Sequence, residues 1–385
     1  MTSDSRPHRG KPIRLHIAFL LITPLAAAIL VPWWAMTHGI TWTEISAMMA
    51  LWIVTGMGIT VGYHRMFAHC SFKVPAPLRF FAAIFGGAAW QGSAMQWSSG
   101  HRYHHNKVDT DLDPYNAKRG FWWSHMGWVM FEGAHGDKFE NTPDLKKDPI
   151  CVWQHKYYMH SSVAFNLAVP ALLGWWLNDF WGIMLFAGLT RVVFVHHFTF
   201  FINSLAHIFG TQPWGEANTS RDNWFLSLLT FGEGYHNYHH AFAGDYRNGP
   251  KAHNFDPSKW VIWVLAKLGL ASDLRRVADD VILRRQFDES LGQLSLSNTD
   301  DDTTLAEDFR SGLDQLKQRI EQSLVELRDA RKHFVEALTD YRKGKMGISR
   351  KQVKLKKQSF KETRRQAKRM LREWENALHG LKAAA

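Results

Sequence analysis

The 385-residue chain is short of cysteine, with only Cys70 and Cys151. Two thiols exclude a disulfide framework and any thiolate cluster around iron–sulfur or rubredoxin-type iron, and they fit a reduced, cytosol-facing environment. The chain also has no His-Glu-x-x-His, which disfavours a zinc metalloprotease. Acidic residues are outnumbered, 35 against 46 Lys and Arg, for a net charge of +11. A mean hydropathy of −0.26 argues against a wholly embedded chain. Apolar segments must therefore alternate with strongly polar ones. In excess are aromatics, with 18 Trp and 25 Phe, and histidine, with 21 residues. Aromatic excess points to membrane interfaces.

The N-terminus carries Arg6, Arg9, Lys11 and Arg14 with no acid among them, and the apolar run Ile17 to Met36 follows. A run of about 20 residues is long enough to span a bilayer. A signal peptide is the competing reading, but Pro24, Pro32 and the Trp33-Trp34 pair suit a retained helix with an aromatic interfacial end. A second run, Ile45 to Val61, makes a hairpin with the first and returns His64 and His69 to the inner side. Pro75 to Gln96, broken by glycines and prolines, reads as a re-entrant or interfacial helix. After a polar stretch comes a second hairpin, Ser162 to Leu177 and Trp181 to Ser204. Arg191, His196 and His197 in its second member are expected to face the bundle interior.

The histidines then fall into a pattern. His236, His239 and His240 stand at i, i+3 and i+4, one side of a helix, and His101, His104 and His105 repeat that spacing. His64 with His69, and His207 four residues after Asn203, lie at inner helix ends. Imidazole suits iron, zinc, copper and nickel, and so many ligands exceed what one ion of four to six coordination takes. Two metals are implied.

The stretches His64-Arg-Met-Phe-Ala-His69, His101-Arg-Tyr-His-His105, Asn203-Ser-Leu-Ala-His207 and Gly232-Glu-Gly-Tyr-His-Asn-Tyr-His-His240 resemble the membrane acyl-CoA desaturases of the stearoyl-CoA desaturase family. The linking stretches Asp109 to Pro114, Arg119 to Trp128, Asp245 to Arg247 and Asp256 to Trp260 resemble it too, so that the likeness runs from about Ile13 to Leu270. The resemblance implies an all-α membrane bundle of four transmembrane helices with a cytosolic, histidine-rich di-iron domain. It implies two irons held by the nine histidines named, with Asn203 acting through a water, and O2-dependent insertion of a cis double bond at the delta-9 position of a long-chain acyl-CoA. Trp52 and Gly56 lie on the helix face that carries His64, with Gly56 leaving a groove that Trp52 closes. Thr199 and Phe200 are further candidates for the acyl chain, and Arg119 and Lys156 for the charged head. Asp109, Asp113 and Glu233 are the acids nearest the ligands, and His125 takes a supporting role. Tyr115, Ala243 and Phe200 depart from the family pattern, and none is expected to touch a ligand. A membrane hydroxylase or alkane monooxygenase shares the metal logic. A metal transporter would need ligands at the bilayer midplane.

Residues 1–16 are thus expected as a basic cytosolic N-terminus, 17–270 as the catalytic membrane domain (spans about 17–36, 45–63, 162–177 and 181–204), 271–304 as a linker and 305–385 as a charged helical extension. In that extension Phe309, Leu313, Leu316, Ile320, Leu324, Leu327, Phe334, Leu338 and Tyr341 keep four-and-three spacing with a gap at Arg331, a coiled-coil seam. Gly344 and Gly347 break it before a second helix. Residues 342–372 hold 14 Lys or Arg against Glu362 alone. A plain solvated helical face is the first reading of this stretch; among partners anionic lipid is expected rather than nucleic acid, and the helices offer a route to self-association. The chain has no His-Pro-Gly-Gly of a cytochrome b5 domain, so electrons are expected from a separate ferredoxin or cytochrome b5. The expected location is a bacterial cytoplasmic membrane, with both termini and the histidine site on the cytosolic side.

Overall fold

The computed structural model describes residues 10–133, 139–297, 307–344 and 347–384; Arg6 and Arg9 of the basic N-terminus lie outside them. Among the described residues all regular structure is helical. There are two compact units: residues up to Arg276 apart from Pro213–Gly215, and those three with Val277–Ala385.

In the first unit α1 is Arg14–Thr37, and α2 runs from Trp42 as an α-helix to Met57 and then as a π-helix over Gly58–Ala68. The turn between them is fixed by Glu44, which caps through Thr41 and accepts Trp34 Nε1 at 2.6 Å. α3 is Ala76–Gly87 and α4 Ala94–Lys107. Short helices α5 (Phe121–His125) and α6 (Pro149–Lys156) lead to α7 (Tyr158–Trp176) and to α8, the helical run Phe180–Ile208. α9 (Trp224–Leu229), α10 (His236–Ala241) and α11 (Pro257–Lys267) complete the unit. α1, α2 and α8 are long and apolar enough to cross a membrane. α1 turns Leu21, Ile22, Leu25 and Ile29 outward, as a helix surrounded by lipid would. The expected span 162–177 falls on α7, which is not among those three; His160, Ser161, Ser162 and Asn166 dilute its apolar run.

α3 ends among these helices, where water cannot satisfy its last carbonyls. Side chains from α7 and α8 do so instead. Ser162 Oγ donates to Gly87 O (2.9 Å), while Asn166 Nδ2 and an Arg191 guanidinium nitrogen both donate to Ala88 O (3.1 Å each). His196 Nε2 lies 2.9 Å from Ala89 O. Polar residues of α7 and α8 therefore hold the end of α3 in place. From there the chain turns, through Gln91 and the Ser93–Gln96 capping box, into α4.

The second unit is built from α12 (Asp279–Ser297), α13 (Glu307–Arg342) and α14 (Arg350–Ala384). Leu313, Ile320, Leu324 and Leu327 of α13 pack on Ala367, Leu371 and Trp374 of α14. Gly344 and Gly347, with φ of 67° and 96°, make the break between them. Residues 271–304 are not a bare linker: α12 sits there, and its Leu283, Phe287, Leu291 and Leu294 join the same core. Its first turn explains the gap in the seam, since Asp280 pairs with Arg331 at 2.7 Å and Asp279 with Arg364 at 3.0 Å.

Candidate metal centre

Four segments of the first unit aim imidazoles at one place. Residues five apart do not share a face of an α-helix, yet the His64 and His69 rings meet with centroids 4.8 Å apart. The π-winding at the end of α2 achieves this, because its wider turn brings i and i+5 together; His69 N donates to His64 O at 3.0 Å. α4 presents His101, His104 and His105, and α10 presents His236, His239 and His240. A break at Ser204, after the half-buried Asn203, turns the last residues of α8 so that His207 joins them.

The rings sort into two groups, His64, His69, His101 and His239 in one and His104, His207, His236 and His240 in the other, with ligand atoms within 4.8 Å of one another in each. Each triplet is thus divided between the groups rather than dedicated to one. His105 stands at their seam, its Nε2 2.9 Å from His239 Nε2 and its ring stacked on His240.

Behind the rings lie the acids. His104 Nδ1 donates to Asp113 Oδ1 at 2.9 Å, and Asp113 also accepts the backbone N–H groups of Asp109 and Tyr115. His64 Nδ1 stands 2.8 Å from Glu233 Oε2. Asp109 acts one residue further back. It takes the Thr219 hydroxyl proton (2.7 Å), which leaves Thr219 Oγ1 to accept from His207 Nδ1 (2.8 Å). Thr219 was invisible in the sequence, where nothing distinguishes it from other loop threonines.

This arrangement fixes protons and tests the fit to a metal. With the Nδ1 hydrogens of His104 and His207 committed to Asp113 and Thr219, it is the Nε2 atoms of the two rings that face the centre, where an uncharged ring offers a lone pair. In the second group the Nε2 atoms form a chain of contacts at 3.1 Å each: His207 to His236, His236 to His240, and His240 to His104. Satisfying both ends requires a hydrogen on His236 and on His240, and then the middle contact sets two N–H groups against each other. With all four imidazoles uncharged, no proton assignment satisfies all three. A cation at the centre does, and the donor set suits one. Burial, reinforced by neighbouring imidazoles, holds His101, His105, His236, His239 and His240 well below the usual imidazole range, so they stand neutral and able to ligate. Burial alone would raise the Glu233 carboxyl, but His64 and Arg65 beside it hold it below the ordinary glutamate value.

Arg65, unremarked in the sequence, fastens this shell to the frame. Its buried guanidinium donates to Glu233 (3.0 Å), Asp256 (2.9 Å) and Tyr246 O (2.9 Å), and Asn248 Nδ2 also donates to Glu233. Tyr115 requires a correction. It does touch two of the candidate ligands, with its hydroxyl 3.2 Å from His101 Nδ1 and its ring stacked on His104 at 4.3 Å. His125 lies outside both groups, 3.0 Å from His197 and 3.1 Å from Ser204 Oγ; burial and His197 bring it down to about 4.

Four residues before His64, Thr60 joins Trp52, Gly56, Thr199, Ile202 and Phe231, among others, in lining a narrow cleft of about 20 Å³. Gly56 does not leave an open groove, because the Phe231 ring rests on it. Phe200 is not among the lining residues and packs on His125 and His196. Arg119 and Lys156 are also absent from the lining; each lies over a neighbouring ring, Trp123 at 3.7 Å and Tyr157 at 5.1 Å.

The fatty acid desaturase family model matches residues 45–254, a stretch that contains all the histidines of both groups. This chain belongs to that family. It is 43% identical over 231 residues to acyl-CoA desaturase 1 of Saccharomyces cerevisiae, covering 60% of this chain and 45% of the relative. It is 37% identical over 241 residues to stearoyl-CoA desaturase 5 of Bos taurus, covering 61% of this chain and 72% of the relative. To the sn-1 stearoyl-lipid 9-desaturase of a Synechocystis strain it is 40% identical over 237 residues, 61% and 73% respectively. The chain thus spans about half the length of the yeast relative. α12 to α14 of this fatty acid desaturase homologue lie beyond the family match.

Removing the carboxylate behind His104 should loosen the centre without changing a ligand. Asp113→Asn is expected to weaken metal retention about 10- to 100-fold, measured as loss of bound metal against a graded chelator. Retention equal to the parent chain would show that Asp113 does not orient His104.

Proposed function

We propose that this chain is an O2-dependent desaturase of a long-chain saturated acyl thioester. The observation that carries the reading is the pair of four-histidine groups beside a largely apolar cleft, in a chain of the fatty acid desaturase family. His64, His69, His101, His105 and His239 would hold one iron. His104, His207, His236 and His240 would hold the other, with Asn203 acting through a water. Zinc has no redox chemistry, whereas bound iron supplies an oxidant able to take hydrogen from an unactivated chain. In balance, O2, two electrons and two protons join the two hydrogens taken from adjacent methylenes, giving one double bond and two waters.

The protein's part is placement and dryness. Asp113, Glu233 and Thr219 with Asp109 hold the imidazole tautomers, and Trp52, Thr199 and Phe231 line the space for the chain. Arg119 and Lys156 are offered to the anionic head, and delta-9 is the proposed position of the double bond, as in the cyanobacterial relative's name. α7 is proposed as the fourth span, with the histidine site on the cytosolic side. Electrons would come from a separate carrier, either a ferredoxin or a cytochrome b5. The test is expression in a host with such a donor, followed by chromatography of its fatty acids. New cis-monounsaturated chains support the reading, and hydroxylated chains or none contradict it.

The α13–α14 extension is proposed to serve attachment to anionic membrane surface or self-association, with no part in chemistry. Truncation after Asp300 is expected to leave turnover within about twofold. Lost turnover in inserted, metal-loaded protein would overturn this.

A further inference from the structure

Phe231 is held in an uncommon way. Its φ of 54° lies in the left-handed region that a bulky residue sustains only where its surroundings fix it. They do so here. Its carbonyl accepts from Ser258 Oγ at 2.9 Å, and the same hydroxyl contacts Thr60 Oγ1 at 2.8 Å. On one side Thr230 donates its hydroxyl to Leu226 O at 2.7 Å; on the other, Gly232 N donates to Ser227 O at 2.9 Å. With its backbone pinned, the ring is carried into the cleft, where it meets Trp52 with centroids 4.7 Å apart and lies flush on Gly56. All three atoms nearest to a Cβ built on Gly56 belong to this ring. Gly56 and Trp52 lie eight and twelve residues before His64, so the ring occupies the end of the cleft away from the histidines.

We infer that Phe231, seated on Gly56, is the residue that sets how long an apolar chain the cleft admits. The inference rests on the acyl-chain reading above and adds to it a specificity determinant from the loop before the last histidine triplet. It follows that Gly56 and Phe231 work as a pair. Removing the ring lengthens the cleft; adding a methyl at position 56 drives the ring into it and shortens it.

The test compares the parent chain with Phe231→Gly, Phe231→Leu, Gly56→Ala and the double variant Gly56→Ala/Phe231→Gly, each expressed with an electron donor in a host supplied with saturated acids of graded length. Phe231→Gly removes ring and backbone strain together, and Phe231→Leu keeps an apolar side chain should the glycine variant fail to fold. One methylene in an apolar pocket discriminates by roughly tenfold or more. The ratio of longer to shorter unsaturated products should therefore rise about tenfold in Phe231→Gly, rise less in Phe231→Leu, and fall in Gly56→Ala. The double variant should return to the Phe231→Gly profile. Unchanged ratios in variants that still make product, or a Gly56→Ala profile that ring removal fails to reverse, overturn the inference and leave the desaturase reading standing. No unsaturated product from the parent chain overturns that reading, and this inference with it.

Discussion

Alanine at His104, His207, His236 or His240 is expected to abolish unsaturated product and remove at least one metal ion per chain. The reason lies in the chain of 3.1 Å contacts, which brings the four Nε2 atoms to one point, so that each ring would supply a ligand no neighbour can replace. A small side chain leaves an ion short of a ligand in a site that burial keeps from compensating freely with water. The effect should reach the other group as well, since His105 spans the seam and each triplet serves both. Elemental analysis of the purified variants and fatty acid analysis of the host check this together. Full metal and activity in most of them would remove these histidines from the ligand set.

Arg65→Met should be the most damaging change that touches no ligand. It leaves Glu233 and Asp256, both buried, without their shared cation. Breaking a buried pair from one side costs about 3–5 kcal/mol, a large part of a typical total of roughly 5–15 kcal/mol. Arg65→Lys keeps the charge but not the fork that reaches two carboxylates and a carbonyl, and should fall between. Thermal unfolding in detergent measures both. A methionine variant that unfolds at the parent temperature would show that the network does not hold the shell.

The histidine spacing was legible because i, i+3, i+4 is a local pattern, and the α13 seam because its period persists over many turns. What escaped is non-local or depends on unusual winding. The meeting of His64 and His69 needs the π-helix over Gly58–Ala68, which no propensity announces. The division of each triplet between groups follows from how α4 and α10 face one another, and Thr219 is linked to His207 only by tertiary folding. α12 is hard to read in the sequence because its apolar positions sit between acidic and serine-rich neighbours, although Leu283, Phe287, Leu291 and Leu294 keep helical spacing. Tyr115 looked peripheral because sequence distance from His101 conceals the turn at Asp113 that brings it back.

The most direct measurement is metal content of the intact chain, purified after expression with iron and assayed for desaturation. The account predicts about two iron ions per chain, lost together with product formation when His236 or His239 is replaced. One ion per chain in fully active protein, or activity that persists when both are removed, would contradict it.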